Sequence, residues 1–156
     1  MSDLVNAIGA VKIPDVNLDG VDSGFGIVRI KSDFNFDQTV DNLKAIVMAQ
    51  DDTRWFGEID YQSDALALNV EIPPSILLLF GGPAPGGQAM MTTPRIGLDA
   101  FCQKLLVYQN EDEEIWIAFN DIVAFSKLYY DTSTKPQQVI NERLKATFTQ
   151  AVGNKN

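Results

Sequence analysis

The run Ile76-Leu77-Leu78-Leu79-Phe80 constrains this chain more than any other stretch. Its five apolar residues are too few to span a membrane and suit a strand covered on both faces, set inside a sheet. Pro73-Pro74 stops any helix upstream of it. Downstream it runs straight into Gly81-Gly82-Pro83 and Pro85-Gly86-Gly87, and this composition predicts a long loop reaching to about Asp99. Loops of that length in a compact domain are usually functional or disordered. No residue type in the glycine-rich turn can do chemistry, but glycine lets another group approach the backbone closely. Met90 and Met91 fall in the same stretch, and methionine adapts to irregular apolar shapes.

Periodicity places the remaining elements around this strand. Residues 24–32 alternate apolar and polar, which predicts a strand. Asn35 offers an N-cap with Gln38 three residues later, and Phe36, Val40, Leu43 and Val47 then form one helical stripe. Residues 54–61 read as a second strand, with Trp55, Gly57, Ile59 and Tyr61 on one face and Phe56, Glu58 and Asp60 on the other. A short helix over 63–70 follows, capped by Ser63. Residues 101–109 and 115–120 are two further strands, joined by the acidic hairpin Asn110 to Glu114. Asn120-Asp121 caps a helix carrying Ile122, Phe125 and Tyr129. Pro136 opens a last helix with the stripe Ile140, Leu144, Phe148 and Val152.

Charge and composition exclude several classes of function. The chain of 156 residues is long enough for one domain with a proper core. Its formal charge of −9, with no basic stripe, argues against nucleic acid and against anionic membrane surfaces. The sequence has no histidine, which removes the commonest general base and a common metal ligand. A Ser-His-Asp hydrolase and a His-ligated metal centre are therefore ruled out. Cys102 is the only cysteine, so no intrachain disulfide forms, and no signal-peptide pattern opens the chain. The expectation is a cytoplasmic protein without a cofactor.

A few polar residues remain as candidates. Asp15, Asn17, Asp19 and Gly20 spell the first half of a calcium loop, but position twelve, where a bidentate Glu belongs, is Gly26. Asp, Asn and Gly are equally the usual turn formers. The dense carboxylates of Asn110 to Glu114 suit either a hard cation or a solvated turn, and the turn is favoured because like charges there are poorly preorganised. Asp60 and Asp99 would form an acid/base pair only if the fold brought them together. Asn120 and Asp121 suit an N-cap first and a ligand contact second.

The order of elements, with several local motifs, resembles the bacterial and archaeal family called domain of unknown function 302. Phe36-Asp37-Gln38-Thr39-Val40 followed by Leu43-Lys44 is similar to its F-D-E-T-V-x-x-L-K helix start. Phe56 to Asp60 resembles its F-x-x-I-D strand, and Leu77 to Pro83 its L-L-I-F-G-N-P strand and turn. Gly97-Leu98-Asp99 resembles A-L-D, and Ala118 to Asp121 resembles S-Y-N-D. The sequence departs from the pattern at Tyr61, where a His is common, and at Gly82 and Ala84-Pro85, where Asn and Lys are usual. The resemblance implies an α+β fold: a two-layer, mostly antiparallel sheet of about five strands with helices packed on it, in β-α-β-β-β-β-α order. It also implies a homodimer, and it implies no activity.

These readings divide the chain into an N-terminal arm (1–23), a core domain (24–130) and a C-terminal helical extension (131–156). The function expected is binding of a small, mainly apolar ligand without catalysis, at Gly81, Gly82, Pro83, Met90, Met91, Asn120 and Asp121. The alternatives are an enzyme using Asp60 and Asp99, and a scaffolding subunit.

Overall fold

The computed structural model describes residues 26–153. The N-terminal arm, with the partial calcium motif at Asp15, Asn17 and Asp19, lies outside the described residues. The elements follow in the order β1 (Ile27–Lys31), α1 (Phe36–Met48), β2 (Arg54–Asp60), α2 (Tyr61–Leu66), β3 (Ser75–Gly81) and α3 (Pro83–Met90). After these come a 3-10 turn (Pro94–Ile96), the single turn α4 (Gly97–Ala100), β4 (Gln103–Gln109), β5 (Ile115–Asn120), α5 (Ile122–Tyr130) and α6 (Lys135–Ala151). The five strands form one sheet in the order β1-β5-β4-β3-β2, with every neighbouring pair antiparallel.

Helices cover one face of the sheet. Ile76, Leu78 and Phe80 of β3, Leu105 and Val107 of β4, and Ile117 and Phe119 of β5 point into that core. They meet the α1 stripe Val40, Leu43 and Val47. Phe148, Ala151 and Val152 from the end of the chain complete it, with the Phe148 ring edge-on to Phe80 and Phe119 at 5.8 and 5.0 Å. The C-terminal helix is therefore part of the main core, although periodicity alone sets it apart as an extension.

The expectation that β3 is covered on both faces does not hold among the described residues. Leu77 and Leu79 alternate with the buried residues and are only half-buried on the face away from the helices. An uninterrupted apolar run hides this alternation, because both faces carry the same residue types.

Strict alternation also fails in β2. The register slips between Trp55 and Gly57, so Trp55 pairs with Phe80 and Gly57 pairs with Leu79, leaving Phe56 as the extra residue of a bulge. Trp55 consequently packs on the core, while Ile59 pairs with Leu77 on the open face. Glu58 lies on the helical side and forms an ion pair with Lys44 of α1.

The capping predictions need one change. Asn35 Oδ1 accepts from the Gln38 amide at 2.9 Å and opens α1. The helix after β2 is capped by Asp60 rather than Ser63: Asp60 Oδ1 accepts from the Ser63 amide at 2.9 Å. The acidic hairpin is organised by Asn110, whose Oδ1 accepts from the Asp112 and Glu114 amides at 3.1 and 2.8 Å. Among the described residues no helix is long and apolar enough to cross a membrane.

Candidate functional site

The stretch after β3 is a helix, where composition predicts a loop. Gly82 is the N-cap of α3 and Pro83 begins it, where a missing amide hydrogen costs nothing. The Gly86 amide donates to the Gly82 carbonyl at 2.8 Å, closing the first turn. Tertiary anchoring then outweighs the poor propensity of paired glycines. At the far end, Gln137 of α6, fully buried, donates to the Ala89 carbonyl at 2.9 Å and to Thr93 Oγ1 at 2.7 Å. Thr93 Oγ1 also donates to the Ala89 carbonyl at 2.9 Å. The last carbonyls of a helix lack internal partners, and here one of them is satisfied from another helix.

A cavity of about 50 Å³ lies between the end of β3, α3 and α6. Its apolar wall includes Phe80, Ala89, Met90, Phe101, Ile122 and Leu144. Two close approaches shape it. A Cβ at Gly86 would stand 2.6 Å from Phe101 Cδ2, and one at Gly82 would stand 2.6 Å from Pro85 Cγ and 3.0 Å from the Asp52 carbonyl oxygen. Only glycine allows α3 to sit this near Phe101 and the turn before β2. Phe101 also packs edge-on against Phe56, with ring centroids 6.2 Å apart.

Most polar residues of the site gather around Arg143 at one rim. Arg143 of α6 grips Asp52 with both arms, Nη1 to Oδ2 at 2.6 Å and Nη2 to Oδ1 at 2.7 Å, and Nη2 also donates to Gln50 Oε1 at 2.5 Å. Thr53 Oγ1 donates to the same Gln50 oxygen at 3.3 Å. Arg143 hydrogen bonding holds the Asp52 carboxyl below its usual range, and the Arg143 guanidinium is correspondingly harder to deprotonate. Gln103, buried in β4, completes the polar lining. Among the described residues the lining holds no carboxylate, cysteine, lysine or tyrosine.

The candidates taken from sequence divide as follows. Gly81, Gly82 and Met90 line the cavity. Pro83 starts α3 without lining it, and Met91 is 77% exposed. Asn120 and Asp121 face elsewhere. Asn120 Nδ2 donates to the Asp99 carbonyl at 3.2 Å. Asp121 caps α5 by accepting from the Ala124 amide at 3.0 Å and pairs with Lys145 at 2.9 Å. Burial pushes the Asp121 carboxyl up, but Lys145, the Ala124 amide and Asn141 together outweigh burial and hold it below its usual value.

The Asp60/Asp99 pair is not assembled. Asp60 pairs in register with Ile76, at the start of β3, whereas Asp99 precedes β4, whose first residue Gln103 pairs with Phe80 at the other end. The two carboxylates thus flank opposite ends of one strand. Asp60 is an exposed cap held below its usual pKa by the Ser63 amide and hydroxyl. Asp99 Oδ2 accepts from the Tyr129 hydroxyl at 2.6 Å, which pushes that phenol up to about 12. Among the described residues no group of three or more acidic or thiol side chains is placed to hold a metal ion.

Sequence inspection missed Arg143, Asp52 and Gln103 as members of the site. Arg143 and Asp52 are 91 residues apart, and no local pattern links an exposed helical arginine to a turn that far away.

The sequence model of one family, domain of unknown function DUF302, matches residues 28–151. No curated protein matches the chain. The crystal structure of an uncharacterized conserved protein DUF302 from Bacillus stearothermophilus is similar to it in fold, with a TM-score of 0.63 at 11% sequence identity. That alignment covers 84% of this chain and 98% of the other. At such identity the likeness concerns the fold alone.

Proposed function

Because the chain belongs to the DUF302 family, whose domain has no known function, we propose its role from the geometry of its own cavity: non-catalytic binding of a small, mainly apolar molecule at the end of β3. The observation that carries this reading is the lining itself. Its wall is apolar, two glycines are required for its shape, and only a few polar groups, Gln50, Thr53, Gln103 and Arg143, border it, as in most small-molecule sites. Among the described residues the lining offers a guanidinium, amides and the Thr53 hydroxyl, which donates to Gln50, but no carboxylate, thiol or amine to act as a general base, which supports binding over chemistry.

The volume limits the ligand. Drug-sized pockets run to roughly 300–1,000 Å³. A cavity of about 50 Å³ takes a molecule of only a few heavy atoms. The Arg143–Asp52 clasp closes one side, so a larger guest requires that clasp to open. Native mass spectrometry of the full chain against a panel of small alcohols, ketones and thioethers tests the proposal. A saturable one-to-one adduct that disappears in Ala89→Phe, which plugs the cavity, is the expected result. Adducts unaffected by the plug, or none at all, overturn it.

A further inference from the structure

The face of the sheet away from the helices has no cover among the described residues. Leu77, Leu79, Leu106 and Ala118 are half-buried there, while Ile27 and Ile59 are 43% and 36% exposed. The register joins four of them into one row across the sheet: Ile59 pairs with Leu77, Leu77 with Leu106, and Leu106 with Ala118. Contiguous apolar patches of this kind on a soluble domain mark a docking surface.

The charges on this face differ from those of the chain as a whole. Its strand positions carry Arg29, Lys31 and Lys104; Lys31 is paired with Glu114 at the edge of the face, and Arg29 and Lys104 leave an excess of positive charge there although the protein has a net charge of −9. Arg29 is met there by neutral groups, donating to Tyr108 Oη at 3.0 Å and lying 5.0 Å from the Trp116 ring centroid. The face therefore suits an acidic, apolar occupant.

We propose that residues 1–25 of the same chain cover this face. The segment joins the sheet at Gly26, directly before β1, and β1 is an edge strand of the patch. It carries four aspartates, Asp3, Asp15, Asp19 and Asp22, against one lysine, Lys12. Between them, Ile13, Val16, Leu18 and Val21 supply apolar side chains, and Val16 and Leu18 alternate with polar neighbours as a strand laid on a sheet does. Length is no obstacle. Crossing five strands takes roughly 19 Å at about 4.8 Å per spacing. An extended segment of 25 residues reaches about 80 Å. The proposal does not depend on the cavity, which lies on the other face.

The test uses the full chain with Leu106→p-benzoylphenylalanine, which sets a photo-crosslinker at the centre of the patch, and the same change at Ile59 in case the first disturbs folding. After irradiation, the expected product has the mass of one chain and joins position 106 or 59 to a peptide from residues 1–25. A product of twice that mass, joining two copies through this face, overturns the proposal. So does the absence of any crosslink to residues 1–25 from both positions.

Discussion

Gly86 of α3 lies so close to Phe101 that a Cβ at position 86 would stand 2.6 Å from the ring, whereas one at the adjacent Gly87 would meet nothing within 4 Å. Two neighbouring glycines of one helix therefore respond to alanine in opposite directions. Overpacking costs about 1–3 kcal/mol, and the struck atom lies near the root of a ring pinned by Phe56, so it yields poorly. Alanine gains about 0.5–1 kcal/mol over glycine within a helix. Gly86→Ala is predicted to be net destabilising by about 1 kcal/mol, and Gly87→Ala to stabilise by about 0.5–1 kcal/mol. Urea unfolding of the two variants decides the matter, and the same sign in both would contradict the packing described for α3.

That contrast also marks how far the sequence can be read. Asn35, Asp121 and the Val40–Leu43–Val47 stripe carry their structure in local spacing, and the helices they predict are present. Residues 83–100 do not. Their prolines and glycines announce a loop, and they become α3, a 3-10 turn and α4 because Gln137 and Phe101 hold them from outside and Met90 packs against Gly97 within the stretch. The cavity is legible only in part. Gly81, Gly82 and Met90 stand out by composition, and Ile140 and Leu144 by helical spacing, but which stripes converge on the end of β3 is decided by the antiparallel order of the sheet.

Asp121 is predicted to be the carboxylate whose loss is felt most. It is only 7% exposed, caps α5 and meets Lys145. Asp121→Ala removes the cap and leaves buried amides and an ammonium short of a partner, at a cost of about 2–4 kcal/mol in urea unfolding. The folded carboxyl titrates below its ordinary value of 3.8, so its contribution is present above that value and is lost as pH falls through the lower folded value. The stability gap between wild type and Asp121→Asn should narrow between pH 5 and pH 2, at roughly the acid limb typical of such groups. A gap that stays constant would exclude this assignment.

Tyr129 gives the opposite, alkaline dependence. Its hydroxyl donates to Asp99 at 2.6 Å, and ionisation would set a phenolate against a carboxylate. The folded pKa is raised from 10.0 to about 12, so the contribution is complete below 10 and is lost as pH rises toward 12. Tyr129→Phe should cost about 0.5–1.5 kcal/mol at neutral pH. It should also show a smaller loss of stability between pH 9 and 11 than wild type, over about the range in which phenols titrate. Equal pH profiles in the two proteins would show that the Asp99 contact contributes nothing.

Arg143→Met separates the cavity rim from the fold. Arg143 and Asp52 are each 44% exposed, and ion pairs of that exposure contribute at most about 1 kcal/mol after solvent screening. The variant should therefore keep its stability within about that margin. Ligand exchange should accelerate, because the clasp that closes the rim is gone. Stopped-flow exchange of a bound small ligand checks this, and an unchanged rate would mean the rim is not the way in.

The proposed role rests on ligand binding in the hollow at the end of β3. Amide-resolved NMR titration of the isotopically labelled full chain with a small apolar ligand tests it most directly. Binding in the hollow gives saturable shifts confined to residues 80–90, Phe101 and residues 140–144. An absence of saturable shifts there at millimolar ligand, or shifts mapping only to the open face at Leu77, Leu106 and Ala118, would contradict it.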